Sequence, residues 1–433
     1  MMRSLWSGVA GLKTHQLEMD VIGNNIANVN TTAYKSQATG FQDVLYQTVK
    51  NGTGAGNNMG ATNISQVGLG SKVGSIYTNI AKSGSMQTTG NAFDLMITGD
   101  SFFIITPDVS SGIMNFSRDG SFTIDAEGNL VTQNNGYYVM GVLGDTQVNG
   151  AAQAPLSLIN EQTKHRDGTA TSEAYFKGNI DSYDTALKEG KALRIEVFGT
   201  DGETYTLKFN LTSTDEDNVF NLALSNVQNK DGKIFKFEGD TSYNLVYDKH
   251  SGDFQSANGD TSGYVNLNLG GDASVIGPLR MDLRYTSNYA GTMGSHSSSI
   301  YGYKGDVQGL NKGYANGDMN GISFSTDGSI HASYSNGETV KIAQIAVAEF
   351  NNAMGLEKVG DNLYAASLNS GEPMIMDITE DGGYMSSGVL ESSNVDLAKE
   401  FTDMITTQRG FQANSKIITT SDEMLQILRG LKS

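Results

Sequence analysis

"VIGNNIANVNTTAYKSQATGF", residues 21–41, joins the end of an apolar-periodic helix to a run of side-chain amides and hydroxyls. Upstream of it Leu5, Leu12, Met19 and Ile26 recur every seven residues, with Ile22 and Val29 at the intermediate position. That spacing predicts one helix with an apolar seam, weakened at Gly8 and His15. A helix docked on a finished core needs a single cap. Asn24, Asn25, Asn28, Asn30, Thr31 and Thr32 offer more donors and acceptors than one cap uses, so the stretch is expected to satisfy backbone groups on adjacent chains.

The far end of the chain carries the same period. Leu397, Met404, Phe411, Ile418 and Leu425 stand seven apart, flanked by Phe401, Ile405, Met424 and Leu428. Ser392-Ser393-Asn394 reads as the N-cap, Asp396 sits in the first turn, and Arg429 and Lys432 suit the negative end of the helix dipole. Two helices sharing one seam are marginal by themselves. Both ends are therefore expected to fray in a free monomer and to become ordered when neighbouring copies surround them.

Between the helices the period falls to two. Residues 114–117, 121–125, 129–133 and 137–142 read as short strands separated by "RDGS", "AEGN" and "NNG", which suit tight reversals. The central "LRIEVFGTDGETYTLKFNL" predicts a hairpin with Leu193, Ile195 and Val197 facing Tyr205, Leu207 and Phe209. Residues 51–72 lack apolar periodicity and read as an irregular arm, and 287–299 as a return between domains. The fold class is mainly β with terminal α-helices and nested β domains. Residues 1–71 form the amino-terminal helix and extended arm. Residues 72–145 plus 305–385 form a split β domain, 146–304 an inserted β domain, and 386–433 the carboxy-terminal helix in a coiled layer with the first.

Composition excludes several functions. The formal charge of −18 opposes nucleic acid and anionic membrane partners. With no cysteine, thiolate nucleophiles, disulfides and zinc-thiolate sites are absent. Histidines occur only at 15, 165, 250, 296 and 331, without metal-ligand spacing, and "GLGSKVG" at 68–74 lacks the phosphate-loop order. Carboxylate pairs such as Asp201 with Glu203 fall on turns, where acidic residues abound in so acidic a chain. No enzyme, cofactor or metal site is expected. No segment approaches the roughly 18 apolar residues of a membrane span, so no membrane insertion is expected. No convincing secretory signal peptide is present either, so export would use another route.

"SGVAGLKTHQLEMDVIGNNIANVNTTAYK" at 7–35 resembles the amino-terminal signature of the bacterial flagellar rod and hook family. "GVLESSNVDLAKEFTDMITTQRGFQANSKIITTSDEML" at 388–425 is similar to its carboxy-terminal partner, and 321–367 is similar to the second β segment of the hook branch. The resemblance covers residues 1–145 and 305–433. It implies a structural subunit of the flagellar hook, exported without a cleaved signal peptide by the flagellar type III export apparatus. Such a subunit polymerises with copies of itself into a flexible, curved tube, a universal joint that transmits motor torque to the filament. Its implied partners are the flagellar rod, the hook-filament junction proteins and the hook cap. Carried over residue by residue, Leu5, Leu12, Ile22, Asn24, Asn25, Ile26, Asn28 and Asn30 would lie in the inner layer or its junction. Asn394, Leu397, Met404, Gln408, Arg409, Phe411, Asn414 and Ile418 would join them. One departure is Ala33, where many relatives carry glycine; a positive φ there would strain alanine. The alternatives are a distal rod subunit, a secreted β-rich binding protein and an acidic hydrolase.

Overall fold

The computed structural model describes residues 2–54, 60–148, 150, 154–290 and 296–430. The chain divides into two compact units, one of residues 1–159, 323–331 and 341–433, the other of 160–322 and 332–340.

The first unit holds both long helices, Met2–Ala27 and Leu397–Gly430. After the first helix the chain forms two antiparallel ribbons, Gln37–Asp43 with Ser71–Thr78 and Tyr46–Lys50 with Ser65–Gly68. The expected irregular arm at 51–72 is thus corrected over Ser65–Gly68 and from Ser71 onward, although residues 55–59 lie outside the described ones. Aromatic and β-branched residues at Tyr46, Val49, Val67, Val73 and Ile76 suit a pleated ribbon. The β core of this unit surrounds Phe102–Thr106, which pairs with Asn115–Ser117, Tyr138–Leu143 and Val347–Glu349. Phe350 packs edge-on against Phe102 and Phe116 at centroid distances of 5.9 and 4.8 Å, within the favoured range for aromatic pairs. In "AEGN" the reversal needs Gly128, whose φ is 87° and whose absent Cβ would lie 1.9 Å from the Ile159 carbonyl oxygen.

The second unit is a sandwich. Its larger sheet orders Lys191–Phe198, Thr204–Ser213, Val219–Asn229, Ser242–Tyr247 and Phe254–Ala257. The smaller orders Tyr264–Leu267, Leu279–Ser287, Glu173–Asn179 and Tyr301–Lys304. The expected hairpin is present in register, Leu193 opposite Phe209, Ile195 opposite Leu207 and Val197 opposite Tyr205. All six side chains are buried, because period-two alternation sends them to one face of a sheet covered by Phe176, Leu267, Met281 and Leu283.

The unit boundaries fall at 159/160 and 322/323, not at the expected 146 and 305, and residues 332–340, expected within the split β domain, group with the second unit. Ala154–Pro155 still pairs with Tyr138–Leu143, and Leu156 and Leu158 are fully buried in the first unit's portion of the chain. On the return, Gly305 donates its amide to Glu173, and Thr169 bridges Tyr314, which holds 305–322 to the sandwich. Within the expected return at 287–299, residues 291–295 lie outside the described ones.

Candidate assembly site at the paired termini

The two long helices run antiparallel. A Cβ on Gly8 would sit 3.4 Å from Ile418 and from the Asn414 carbonyl oxygen, one on Gly11 2.8 Å from Asn414 Nδ2, and one on Gly410 2.7 Å from His15 Nε2. Farther along, Asn25 Nδ2 donates to Glu400 Oε1 at 3.1 Å. Glycines on both helices therefore mark close approach, and Gly8 is a packing site instead of the weak point expected from the apolar period. The seam itself is displaced from that period. On the carboxy-terminal helix the deepest residues are Thr407 and Ser421, in the row that continues through Glu400 and Asn414. Met404, Phe411, Ile418 and Leu425 flank this row and are half-buried, as are Leu5, Leu12, Met19 and Ile26 on the partner helix. Gln408 and Arg409 are exposed, as are Asn24 and Asn30, whereas Ile22 is buried. The start of the helix shows an unmatched apolar row, with Leu397, Phe401 and Ile405 38, 50 and 58% exposed, and its far end exposes Ile417, Met424, Ile427 and Leu428 as well.

Much of the amide cluster is already engaged inside the chain, while Asn24 and Asn30 remain exposed. Asn25 is buried; its Oδ1 accepts from the Gln37 amide at 2.9 Å, and its Nδ2 donates to the Gln37 carbonyl at 2.8 Å. Asn28 Nδ2 donates to the Asn24 carbonyl, Thr31 Oγ1 to Asn28 Oδ1, and Thr32 Oγ1 to Asp119. Asn394 is likewise no helix cap. Its Oδ1 accepts from the Ser36 amide at 2.7 Å while Nδ2 donates to the Asn79 and Lys82 carbonyls at 2.9 and 2.8 Å, tying three strands of chain together. Asp396 caps the helix, accepting from the Ala398 and Lys399 amides. An asparagine amide carries its NH2 donors and its carbonyl acceptor on separate atoms of one short arm, so it can bond a backbone N–H and a backbone C=O at once, as Asn25 and Asn394 do. Ala33 has φ 55°, the left-handed value that glycine adopts without strain, and its amide donates to the Glu391 carbonyl at 2.7 Å.

Beneath this junction lies a buried charge cluster that sequence periodicity could not reveal. Lys35 Nζ donates to Glu391 Oε1 at 2.8 Å and to the Lys82 carbonyl at 3.1 Å. Glu391 Oε1 also accepts from the Gly84 amide at 2.7 Å. Arg118 donates to the Gly99 carbonyl at 2.6 Å and lies 5.0 Å from the Phe102 ring centroid. Burial holds both Lys35 and Arg118 below their ordinary ranges, against the opposing pull of Glu391. Burial also pushes Glu400 up, helped by Asp403 and Asp396. Glu18, Glu400, Asp403 and Asp396 line a groove of about 330 Å³ together with Lys82 and Lys399. Among the described residues no group of histidine and carboxylate side chains has metal-binding geometry.

Three family descriptions match this chain: flagella basal body rod protein over residues 5–35, the flagellar hook protein FlgE/F/G D1 domain over 96–163, and the flagellar basal body rod FlgEFG protein C-terminal region over 386–431. The first and last are the two helices and their junctions. The flagellar hook protein FlgE of Borreliella burgdorferi is 35% identical, with all of both chains covered, and that of Treponema pallidum 34% on the same coverage. The chain belongs to the flagellar hook protein family. A rod protein, FlgG of Bacillus subtilis, is 30% identical over all of both chains, so hook proteins are the better match and the rod alternative is not favoured. The hook protein FlgE2 of Helicobacter pylori superposes on 71% of this chain with a TM-score of 0.47 and 13% identity. A hook-family chain is a structural subunit of the flagellum that assembles with its own kind, and its family implies no catalytic role.

Proposed function

We propose that the paired termini are the part of the hook subunit that holds neighbouring copies together, while the β units form the outer, sliding layers of a curved torque-transmitting tube. The observation that carries this reading is the row Leu397, Phe401 and Ile405, exposed on a helix whose opposite face is already taken by its partner. Exposed apolar side chains spaced one turn apart gain most from a second helix. The half-buried flanks, Leu5, Leu12, Ile26, Met404, Phe411 and Ile418, would be completed by the same neighbours. Asn24, Asn30, Gln408 and Arg409 would supply polar contacts at the rim. Asn25, Ile22 and Asn394 act one step back, at the junction with residues 36, 37 and 79, while Asn28 holds the turn after the first helix and Asn414 lies against Gly8 and Gly11 inside the helix pair. Outer contacts made by polar, turn-rich β surfaces exchange at small energetic cost, whereas buried helical seams do not. In this reading the subunit leaves the cell through the flagellar type III export apparatus without a cleaved signal. It meets the rod at one end of the tube, and the cap and junction proteins at the other.

The test replaces exposed groups, so that folding of the single chain is spared. Phe401→Asp with Ile405→Asp should leave the β units folded by circular dichroism and abolish tubes in electron micrographs. Phe411→Asp should do the same while also loosening the helix pair. Normal tubes from the Phe401/Ile405 variant would refute the assignment.

A further inference from the structure

The smaller sheet of the sandwich turns one face to the core and the other outward. Tyr175 and Tyr303, opposite each other in register, stack at 5.1 Å with ring planes 17° apart. Arg280 and Arg284 lie 4.6 and 4.4 Å from the Tyr264 ring centroid. Each guanidinium is anchored by a carboxylate, Arg280 by Glu173 and Arg284 by Asp282. The arginine side chains are 48 and 46% exposed, and the anchoring acids 20 and 14%. The surface therefore displays cations and rings with the carboxylates tucked beneath them, on a chain whose net charge is −18. Tyrosine and arginine are the residue types that concentrate binding energy at protein interfaces.

The complement to this face is on the same unit. The hairpin Thr204–Ser213 and Val219–Asn229 ends in Asp215, Glu216 and Asp217, all exposed. Its turn is preorganised: Thr214 Oγ1 donates to the Val219 carbonyl at 2.7 Å, the Val219 amide donates to Glu216 at 3.3 Å, and Asn218 takes φ 61°. Among the described residues the turn's acids form an ion pair only with Lys249, at 3.7 Å from Asp217. We propose that the tyrosine-arginine face of one copy seats the acidic turn of the next. The two surfaces are different patches of one unit, so their pairing is heterologous and repeats along a polymer without closing. Solvent-exposed charge pairs are individually weak and salt-screened, which suits an outer contact that must exchange as a tube bends. This inference rests on the hook reading.

The absence of cysteine makes a clean test possible. Glu216→Cys and Tyr301→Cys, the latter 61% exposed and two residues from Tyr303 on the same strand, combined in one full-length chain, assembled into tubes and oxidised, should give a ladder of covalent multimers on a denaturing gel, whereas either single variant should stop at dimers. Adding Asp215→Lys and Asp217→Lys should cut the ladder by about an order of magnitude, the effect of losing two exposed charge pairs. Tubes without a ladder would overturn the proposal, as would a ladder indifferent to the lysines. Tubes without a ladder, from a chain that a polysaccharide resin retains until Tyr301→Ala and Tyr303→Ala release it, would overturn it in favour of a glycan-binding face. Failure of the cysteine-free parent to form any tubes would instead strike the hook reading.

Discussion

Lys35 and Glu391, 356 residues apart in sequence, form an ion pair in which each side chain is only 1% exposed. The pair ties the loop after the first helix to the strand before the last. Taking two charges out of water costs several kcal/mol each, so the pair contributes position more than stability. What it does enforce is that neither partner is lost alone. Lys35→Met should destabilise the first unit by about 3–5 kcal/mol in urea unfolding, because it strands a carboxylate whose Oε2 already lacks a hydrogen bond. Lys35→Met with Glu391→Met should recover most of that loss. Additive losses in the double variant would mean that the pair is uncoupled.

A second lysine titrates beside the first. Lys358 donates to the Lys35 carbonyl at 3.1 Å and lies 4.7 Å from the Tyr34 ring centroid, and burial lowers its pKa to about 8. An unfolded lysine titrates near 10.4, so between about pH 8 and 10 the unfolded chain binds more protons, and stability rises with pH. Lys358 is partly exposed, so the rise should be about 1 kcal/mol or less. Burial raises Tyr34 and Tyr364, which reverses the slope once unfolded tyrosines ionise above about pH 10. Unfolding midpoints between pH 8 and 9.5 should climb more steeply in the parent than in Lys358→Met, where the depressed Lys35 still contributes a rise. Equal slopes in both would remove Lys358 from the account.

What the sequence made legible follows from which interactions are periodic. The hairpin of Leu193 and Phe209 could be read because a sheet with one buried face forces alternation on its side chains. The helices could be read for the same reason, but their seam could not. A leucine every seven residues marks a flank as readily as a centre, and here the centre is small and polar, at Gly8, Gly11, Thr407 and Ser421. The ribbons at 37–78 were half hidden because neither strand pair has a fully buried face to impose a pattern. Asn394 was legible as a polar residue near a helix start and misread as its cap, since the three groups it binds, at positions 36, 79 and 82, are distant in sequence. Lys35, Arg118 and Glu391 left no local signal. An isolated charge in a loop looks solvated until the fold closes around it.

Ala33 tests how firmly the junction dictates its backbone. At φ 55° an L-residue carries about 1–2 kcal/mol of strain, which Ala33→Gly would relieve. Against this stand about 0.8 kcal/mol for a buried methyl group and about 0.4–1 kcal/mol for the added freedom of the unfolded chain. These terms nearly cancel, so Ala33→Gly should lie within about 1 kcal/mol of the parent in urea unfolding, despite removing a fully buried side-chain atom. Ala33→Val should cost more than about 2 kcal/mol, since a β-branched residue is disfavoured at positive φ and the added methyls would enter a buried site. If the backbone were instead at an ordinary negative φ, the glycine variant would lose the methyl and the chain entropy with nothing returned, a drop of about 1.2–1.8 kcal/mol. Such a drop, with valine tolerated, would show that the hydrogen bond from Ala33 to Glu391 does not fix the turn.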